Sequence, residues 1–574
     1  MGSRMRRVLR LATSSLARND TSVSTRSRRG VIVHAIALAS LGVSLGCASA
    51  RIQRENARAL ATADARVLEG CYDCLRDARA IYARLAGGKP NKNTPALVAR
   101  LFETDVLLAL REKELALDSR VSLERARSLA ARVPQPLEPK RVLDIVDAVL
   151  PDANGLSMKA MDALRRRNRP LLEKIDGELA WVEQAPLTPA VRKYLALSLD
   201  CSYSDRKRAP GDTVNTLEKR RALPINAPPL LAYRAADCAK PDTLALKRVL
   251  VAVPTFDEAG YSLAGLNVFS AGETGGDGVR ALLDRAHARF PRAPGVMFLS
   301  GYLNSLLGDC AEANRFYDAT LAVEPAHDRA MLQMTICLTN LHQDSAAIAT
   351  ATRFIALEPS NVAEGYYWRS ANRLRRRELD LARSDIEAAK ARSRNDGTIF
   401  TLAGIIEHEQ EDLGVAESDL RGARSAWKGD GNCTAAFYLG SVFNKRERWP
   451  EAAAAFDSAM VCYDGRAQDV ALKIEEVRAS TKGSAAFRAK RIALLEEELA
   501  DRRRRYCSSA FNVASMSARI GNLARADEVL AIAAQAAELT EQVAKLRELI
   551  AEATRQAQPT VKGVRAVRPR GSSR

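Results

Sequence analysis

Two cysteines separated by two residues, Cys71 and Cys74, have a type and spacing that could carry chemistry. A redox-active pair of this spacing needs a strand before its helix, and no strand is predicted there. A zinc site needs a second pair of ligands at suitable spacing, which the sequence does not supply. We interpret the pair as a disulfide, local or with a partner, or as two packing thiols at a helix start; thiol–disulfide exchange is the alternative.

Other candidate chemistries are weaker. Glu407, His408, Glu409, Glu411 and Asp412 could recruit a cation, although a solvated acidic helix end is the favoured interpretation. The segment 272–278 is glycine-rich but lacks the Lys-Ser/Thr of a phosphate-binding loop, and it is interpreted as a turn between helices. No catalytic residue, metal or cofactor is therefore predicted, and the chain is expected not to be an enzyme.

Composition favours helices and a nearly neutral folded body. Aromatic residues are 5% of the chain, charged residues 27% and apolar residues 47%. The formal charge of +18 is concentrated at the ends, with +7 in residues 1–29 and +6 in residues 555–574, which leaves +5 for the rest. A basic binding face is not indicated, so nucleic acid is not an expected partner, although the basic ends could contact it.

A 34-residue repeat dominates the middle of the chain. Pro291, Pro325 and Pro359 stand 34 residues apart, and each closes a helical pattern. Ala313 and Ala347 occupy the same small-residue column, which continues through further units up to a last one near 507–540. This pattern resembles the tetratricopeptide repeat, a helix–turn–helix unit of the same length. The resemblance implies an all-α, tetratricopeptide-like helix-turn-helix solenoid that forms a right-handed superhelix.

The resemblance also implies a binding surface, because the first helices of such repeats line a concave groove that accepts a peptide or a partner helix. The basic clamp of chaperone-tail-binding members is not reproduced. Phe298, Ile336 and Phe437 could instead belong to the core between helices. The predicted groove residues are Phe298, Tyr302, Ile336, Asn340, Tyr367, Arg375, Ile405, His408, Phe437, Asn444 and Lys445.

Ten cysteines permit several disulfides if the protein is exported. Cys310 and Cys337 lie on helices predicted to stack, Cys433 and Cys462 open and close one helical pair, and Cys201 and Cys238 flank a proline-rich interruption. Buried free thiols are the alternative for each pair.

The amino terminus has the pattern of an export signal. A basic segment precedes the uncharged run 30–46, which ends at Cys47. Residues 44–47 resemble a bacterial lipobox, with Gly46 before the cysteine but Ser44 where leucine is usual. This implies lipidation of Cys47, with an uncleaved anchor and a cytosolic protein as alternatives. The predicted location is the cell envelope, membrane-anchored and facing the periplasm or the exterior.

These patterns predict seven segments and one main function. The function is a non-enzymatic protein-interaction scaffold, a lipoprotein of the bacterial envelope; the alternatives are a thiol-redox accessory protein using Cys71 and Cys74, or a cytosolic scaffold whose basic ends bind nucleic acid. The segments are a signal or anchor over 1–46, a helical region over 47–200 that could hold degenerate repeat pairs, a proline-rich loop over 201–230, the solenoid over 231–466, a long bridging helix over 467–505, a last repeat and helix over 506–555, and a disordered tail over 556–574.

Overall fold

The computed structural model describes residues 50–87, 94–203, 222–224, 226–237, 242–270, 276–426, 430–481 and 483–557. Within these residues we find 26 α-helices, numbered α1 to α26 here, and no strand. The all-α prediction is confirmed.

The amino-terminal region contains nine helices of unequal length around one large core. Leu75, Phe102, Val106, Val146 and Leu195 are among the residues of this core. The helices are α1 (50–69), α2 (Tyr72–Ala86), α3 (Thr94–Glu114), α4 (Arg120–Ala130), α5 (Pro139–Ala148), α6 (Met158–Arg167), α7 (Arg169–Leu172), α8 (Ile175–Gln184) and α9 (Pro189–Ser202).

Four helices connect this region to the repeats. A second, smaller core joins α2 to the first three of them through Tyr233, Phe256 and Leu246. The four helices are α10 (Pro229–Asp237), α11 (Thr243–Ala252), α12 (Asp257–Asn267) and α13 (Asp277–Arg289). The part of the predicted loop 201–230 between 204 and 221 lies outside the described residues.

Five consecutive helical hairpins follow. Proline at the first position of α14 and Asp309 and Asp396 at helix N-caps fix where helices begin. The hairpins are α14 (Pro294–Leu306) with α15 (Cys310–Val323), α16 (Asp328–Asn340) with α17 (Asp344–Ala356), α18 (Val362–Arg375) with α19 (Leu379–Arg392), α20 (Gly397–Glu409) with α21 (Leu413–Ala426), and α22 (Asp430–Lys445) with α23 (Trp449–Ala479).

The turn inside each hairpin contains one residue with a left-handed backbone. These residues are Gly308, His342, Arg377, Glu411 and Glu447, with φ between 56° and 74°. They stand 34, 35, 34 and 36 residues apart, so the repeat length read from the prolines is also the repeat length of the turns.

The segment beyond residue 466 differs from the prediction of one bridging helix over 467–505. Helix α23 ends at Ala479, and α24 (Ala485–Arg519) starts after Ser484, whose hydroxyl accepts a hydrogen bond from the Phe487 amide. Gly483 has φ of 75°, which allows the chain to reverse. The two long helices therefore form an antiparallel hairpin, which is followed by α25 (Leu523–Ala533) and α26 (Thr540–Ala557).

Candidate binding groove

The first helices of the five hairpins form one continuous layer. Each of α14, α16, α18 and α20 packs on the next first helix, up to α22, and the second helices lack comparable contacts with one another. Because the first helices are closer together, the stack curves towards them, and their free sides line the concave face. This is the surface that the sequence predicted as a groove.

Glycine residues in the first helices allow the two helices of a hairpin to approach closely. A Cβ placed on Gly301 would lie 2.7 Å from the Tyr317 ring, and one on Gly440 would lie 2.8 Å from the Phe456 ring. On Gly404, a Cβ would lie 2.5 Å from Cγ of Leu420. The glycines therefore let a large side chain of the second helix lie against the backbone of the first.

Two of the predicted groove residues are buried. Phe298 is only 6% exposed and belongs to the core, with its ring 5.0 Å from that of His327, so the core interpretation is correct for this residue. His408 is 7% exposed, and its Nε2 lies 2.9 Å from the hydroxyl oxygen of Ser441. Neither side chain offers a large contact area on the concave face.

The other predicted aromatic and aliphatic residues are half-buried. Tyr302 packs on the core that contains Phe298, and Tyr367 stacks edge-on against Trp368 at 5.1 Å. Phe437 lies 5.4 Å from the Phe456 ring. Side chains that are half-buried and held by ring contacts present apolar surface in a fixed orientation, as an anchoring site for a partner requires. Ile336 and Ile405 are half-buried as well.

The predicted polar groove residues are mostly engaged within the chain. Arg375 is exposed but donates to the Thr339 carbonyl at 3.0 Å and pairs with Asp344. Lys445 donates to the His408 carbonyl at 3.3 Å. Asn340 is exposed, and Asn444 is half-buried. Because the two cations already have partners, the concave face is not a preformed site for a free carboxylate.

The cluster around Glu407 and His408 is a solvated acidic face only in part, because Glu411 in the turn is exposed whereas the two central residues are buried. Glu407 is fully buried, and its carboxylate lies 3.1 Å from Arg383. Burial raises the pKa of Glu407 and lowers that of His408. Within the described residues, no group of three or more potential metal ligands occurs.

One further aromatic residue extends the concave face beyond the predicted groove. Phe511 on α24 is half-buried and packs on the core that contains Phe456. It stands three residues before buried Ala514, as Phe437 stands three residues before Gly440. This spacing was a usable signal in the sequence, but the last unit lies apart from the regular array.

The cysteines occur in two states. Disulfides join Cys71 to Cys74 and Cys433 to Cys462, and Cys201 is also disulfide-bonded, whereas Cys238 lies outside the described residues. The expected pairing of Cys310 with Cys337 is wrong for this structure, because both are buried free thiols, as is Cys507. A hydrogen bond with Cys337 lowers the pKa of Cys310.

The Cys71–Cys74 disulfide is enclosed by the protein. The two cysteines are 1% and 2% exposed and pack with Tyr233 and Phe256. Cys71 is also the N-cap of α2, where its sulfur accepts from the Cys74 amide at 3.1 Å. Exchange requires a thiolate to reach a sulfur atom, and this packing leaves no such access.

The predicted lipidation site, Cys47, and the uncharged run before it lie outside the described residues. Among the helices of the described ranges, none combines the length and the apolar character needed to cross a membrane.

Solved structures with a similar arrangement of helices include tetratricopeptide proteins. Neither a protein-family model nor a curated relative matches the chain. MamA from Desulfovibrio magneticus RS-1 is 21% identical, with 30% of this chain and 96% of that chain covered and a TM-score of 0.28. YrrB, described as a TPR protein with an unusual peptide-binding site, is 16% identical over 31% of this chain and 91% of that chain, with a TM-score of 0.27.

A chain from the structure of the APC/C Cut9–Hcn1 hetero-tetramer is 11% identical. The match covers 88% of this chain and 94% of that chain, with a TM-score of 0.38. Since these TM-scores are low, we base the fold on the hairpins themselves. Their order, spacing and inner layer of first helices define an all-α solenoid of tetratricopeptide-like hairpins.

Proposed function

We propose that this protein is a non-enzymatic scaffold that binds a peptide or helix of a partner protein on the concave face formed by its first helices. One observation carries the proposal: half-buried aromatic side chains occupy the same position in three of the helices along that face, α18, α22 and α24, whereas Phe298, Leu332 and Thr401 are buried at that position in α14, α16 and α20. The three aromatic residues are Tyr367, Phe437 and Phe511. A row of oriented apolar side chains beside a few exposed polar groups suits an apolar partner segment.

The location is part of the proposal. We infer that the chain is held at a bacterial envelope membrane through a lipid on Cys47, in line with the lipobox-like residues 44–47. Mass spectrometry of the mature amino terminus tests this inference. A lipid-modified Cys47 as the first residue supports it, and retention of Arg4 together with an unmodified Cys47 rejects it.

The thiol-redox alternative is disfavoured by the burial of the Cys71–Cys74 disulfide. Alkylation of the native protein with and without a mild reductant tests it directly. The scaffold proposal expects no labelling of these two cysteines in the native state under either condition. Labelling that depends on the reductant would restore the redox alternative.

Site-specific photo-crosslinking in cells tests the concave face. A photoreactive phenylalanine analogue in place of exposed Asn340 lies on the inner layer, and the same analogue in place of Leu381, which is 50% exposed on second helix α19, serves as the matched control. We expect a discrete partner at Asn340 but not at Leu381. That capture should be lost in a Phe437→Ala variant. Equal capture at both sites, or capture that survives Phe437→Ala, would reject the groove.

A further inference from the structure

The long hairpin returns to the beginning of the repeats. Its tip lies between α23 and α24, far in sequence from the first hairpin, yet it contacts the turn before α15 and the start of α13. The Ser484 amide donates to Asp277 at 2.9 Å, and Lys490 lies 3.6 Å from Asp309. A distant segment is thus fastened to the start of α13 and to the turn of the first hairpin.

Apolar contacts accompany these polar ones. A Cβ placed on Gly308 would lie 2.9 Å from both methyl carbons of Leu494, so the Leu494 side chain lies directly on the turn. Phe487 packs against the core that includes Leu303 and Leu307. Phe487 and Leu494 are seven residues apart and therefore lie on one face of α24, with Lys490 between them.

The charges at the start of α24 are unusual for a helix. The first turn has no acidic residue, and Arg488, Lys490 and Arg491 follow within the first seven residues. Cations near a helix N-terminus are disfavoured by the helix dipole. On the opposite surface, Asp277 and Asp309 are acidic. Complementary charge across this contact accounts for cations that are unfavourable for the helix alone.

The attachment is nevertheless limited. The ion pair between Lys490 and Asp309 joins side chains that are 49% and 43% exposed, and such exposed pairs contribute little. The outer part of the hairpin has a core of only three buried side chains, Val470, Ile474 and Leu495. A contact of this kind can open without unfolding the hairpins on either side.

We propose that the surface around Gly308 is a helix-docking site that the chain's own hairpin tip occupies, and that its external partner is a basic amphipathic helix. The partner helix carries an aromatic residue, a lysine or arginine three positions later, and a leucine four positions after that, as Phe487, Lys490 and Leu494 do. It competes with the tip for the acidic, glycine-containing turn. This site is centred on the turn between α14 and α15, so the proposal holds whether or not the groove binds its own partner.

A labelled peptide of residues 483–499 tests the proposal without an identified partner. We expect it to bind the full chain carrying Phe487→Ala and Leu494→Ala, which frees the surface, at least about tenfold more tightly than the wild type, whose surface is occupied. The same peptide carrying Leu494→Ala and Lys490→Glu should not bind the double-variant chain. Equal binding by wild type and double variant, or by both peptides, would overturn the proposal. So would a wild-type dimer, because the tip would then dock on a second copy.

Two glycines provide a matched pair on the receptor side. Gly308 and Gly521 both lie in hairpin turns, with φ of 74° and 80°, but a Cβ on Gly521 would meet nothing within 4 Å. Alanine at either position strains the backbone, whereas only Gly308→Ala also displaces Leu494. We expect hydrogen exchange at residues 484–495 to rise in Gly308→Ala and to stay unchanged in Gly521→Ala. An equal response in both variants would contradict docking at this turn.

Discussion

The amino-terminal region with the connecting helices, α1 to α12, and the regular hairpins, α14 to α23, pack their helices by different means. The hairpins use small residues: Ala313, Ala347, Ala382, Ala416 and Ala452 are fully buried at the same position of successive second helices. The hairpins also bury some charges, such as Glu407, but the amino-terminal region and the connecting helices are joined by a fully buried arginine, Arg111, whose partners lie far apart in sequence. The alanine contacts of the hairpins are repeated and local, whereas the contacts of the buried arginine join residues far apart in sequence. The two regions should therefore respond differently to substitution and to pH.

Arg111 is the centre of the buried charge in the amino-terminal region. It is fully buried, donates to the Gly70 carbonyl at 3.0 and 3.2 Å, and pairs with Glu114 at 2.9 Å. Its guanidinium carbon lies 4.1 Å from the centre of the Tyr233 ring and 4.9 Å from that of Phe256. One side chain thus joins the turn before α2 to α3, α10 and α12.

Replacing Arg111 should have the largest effect. Arg111→Met retains most of the length but leaves Glu114 and the Gly70 carbonyl without this partner, so we expect a loss of about 3–5 kcal/mol in the free energy of unfolding. Urea titration, with hydrogen exchange at α3 as the local probe, measures it. As control, Arg120→Met removes an exposed arginine that pairs only with Asp118, and it should leave the transition unchanged. Similar results for both variants would contradict the central role of Arg111.

Glu258 should give the amino-terminal region a pH dependence. Burial raises the pKa of Glu258 to about 7; charged Arg111 and the Tyr72 amide oppose the shift, and Asp257 adds to it. The folded state therefore holds a proton that the unfolded chain releases. This stabilisation is complete below pH about 4.5, the unfolded pKa, and is lost as pH rises through about 7.

The shift corresponds to at most about 3 kcal/mol. Glu258→Gln should flatten the fall in stability between pH 5 and 7.5, as measured by urea titrations across that range. Exchange at the amides of α17 provides the internal reference. A variant that retains the wild-type slope would show that another group causes it.

The close approach inside the hairpins predicts a smaller effect. In Gly440→Ala the new Cβ meets the Phe456 ring, and overpacking of this kind costs about 1–3 kcal/mol. Gly465→Ala is the matched control, since Gly465 lies at an exposed position inside helix α23 and its Cβ would meet nothing within 4 Å; alanine there should stabilise by about 0.5–1 kcal/mol. Thermal unfolding of the two variants should therefore shift in opposite directions. A shift in the same direction would contradict the packing assigned to the glycine column.

The difference between the regions also decides what the sequence could predict. The hairpins follow from a local period, visible in Pro291, Pro325 and Pro359, so their length and order could be read directly. Burial within the groove could not, because Phe298 and His408 lie at positions whose exposure depends on how closely neighbouring helices pack. The sequence therefore identified these positions on the first helices but not how far their side chains are buried.

Features that depend on distant partners were missed. Nothing near Arg111 in the sequence indicates Tyr233 or Phe256, which lie more than a hundred residues away. The reversal after Ala479 had a local signal in Ser480, Gly483 and Ser484, but the charged helical pattern on both sides concealed it. Its contact with Gly308 depends on the curvature of the whole array, which no local pattern contains.

The left-handed residues in the hairpin turns provide the test with the smallest expected effect. Glu447 has φ of 56° and an exposed side chain, and it occupies the turn position that Gly308 occupies in the first hairpin. A left-handed backbone costs a residue with a Cβ about 1–2 kcal/mol, and the extra freedom of glycine in the unfolded chain offsets part of the relief. Glu447→Gly should therefore stabilise by about 0.5–1 kcal/mol in urea titration. Glu548→Gly, at an exposed helical position of α26, should instead destabilise by about 1 kcal/mol. If both variants lose stability equally, the turn is not strained, and the repeat length is maintained by the helices alone.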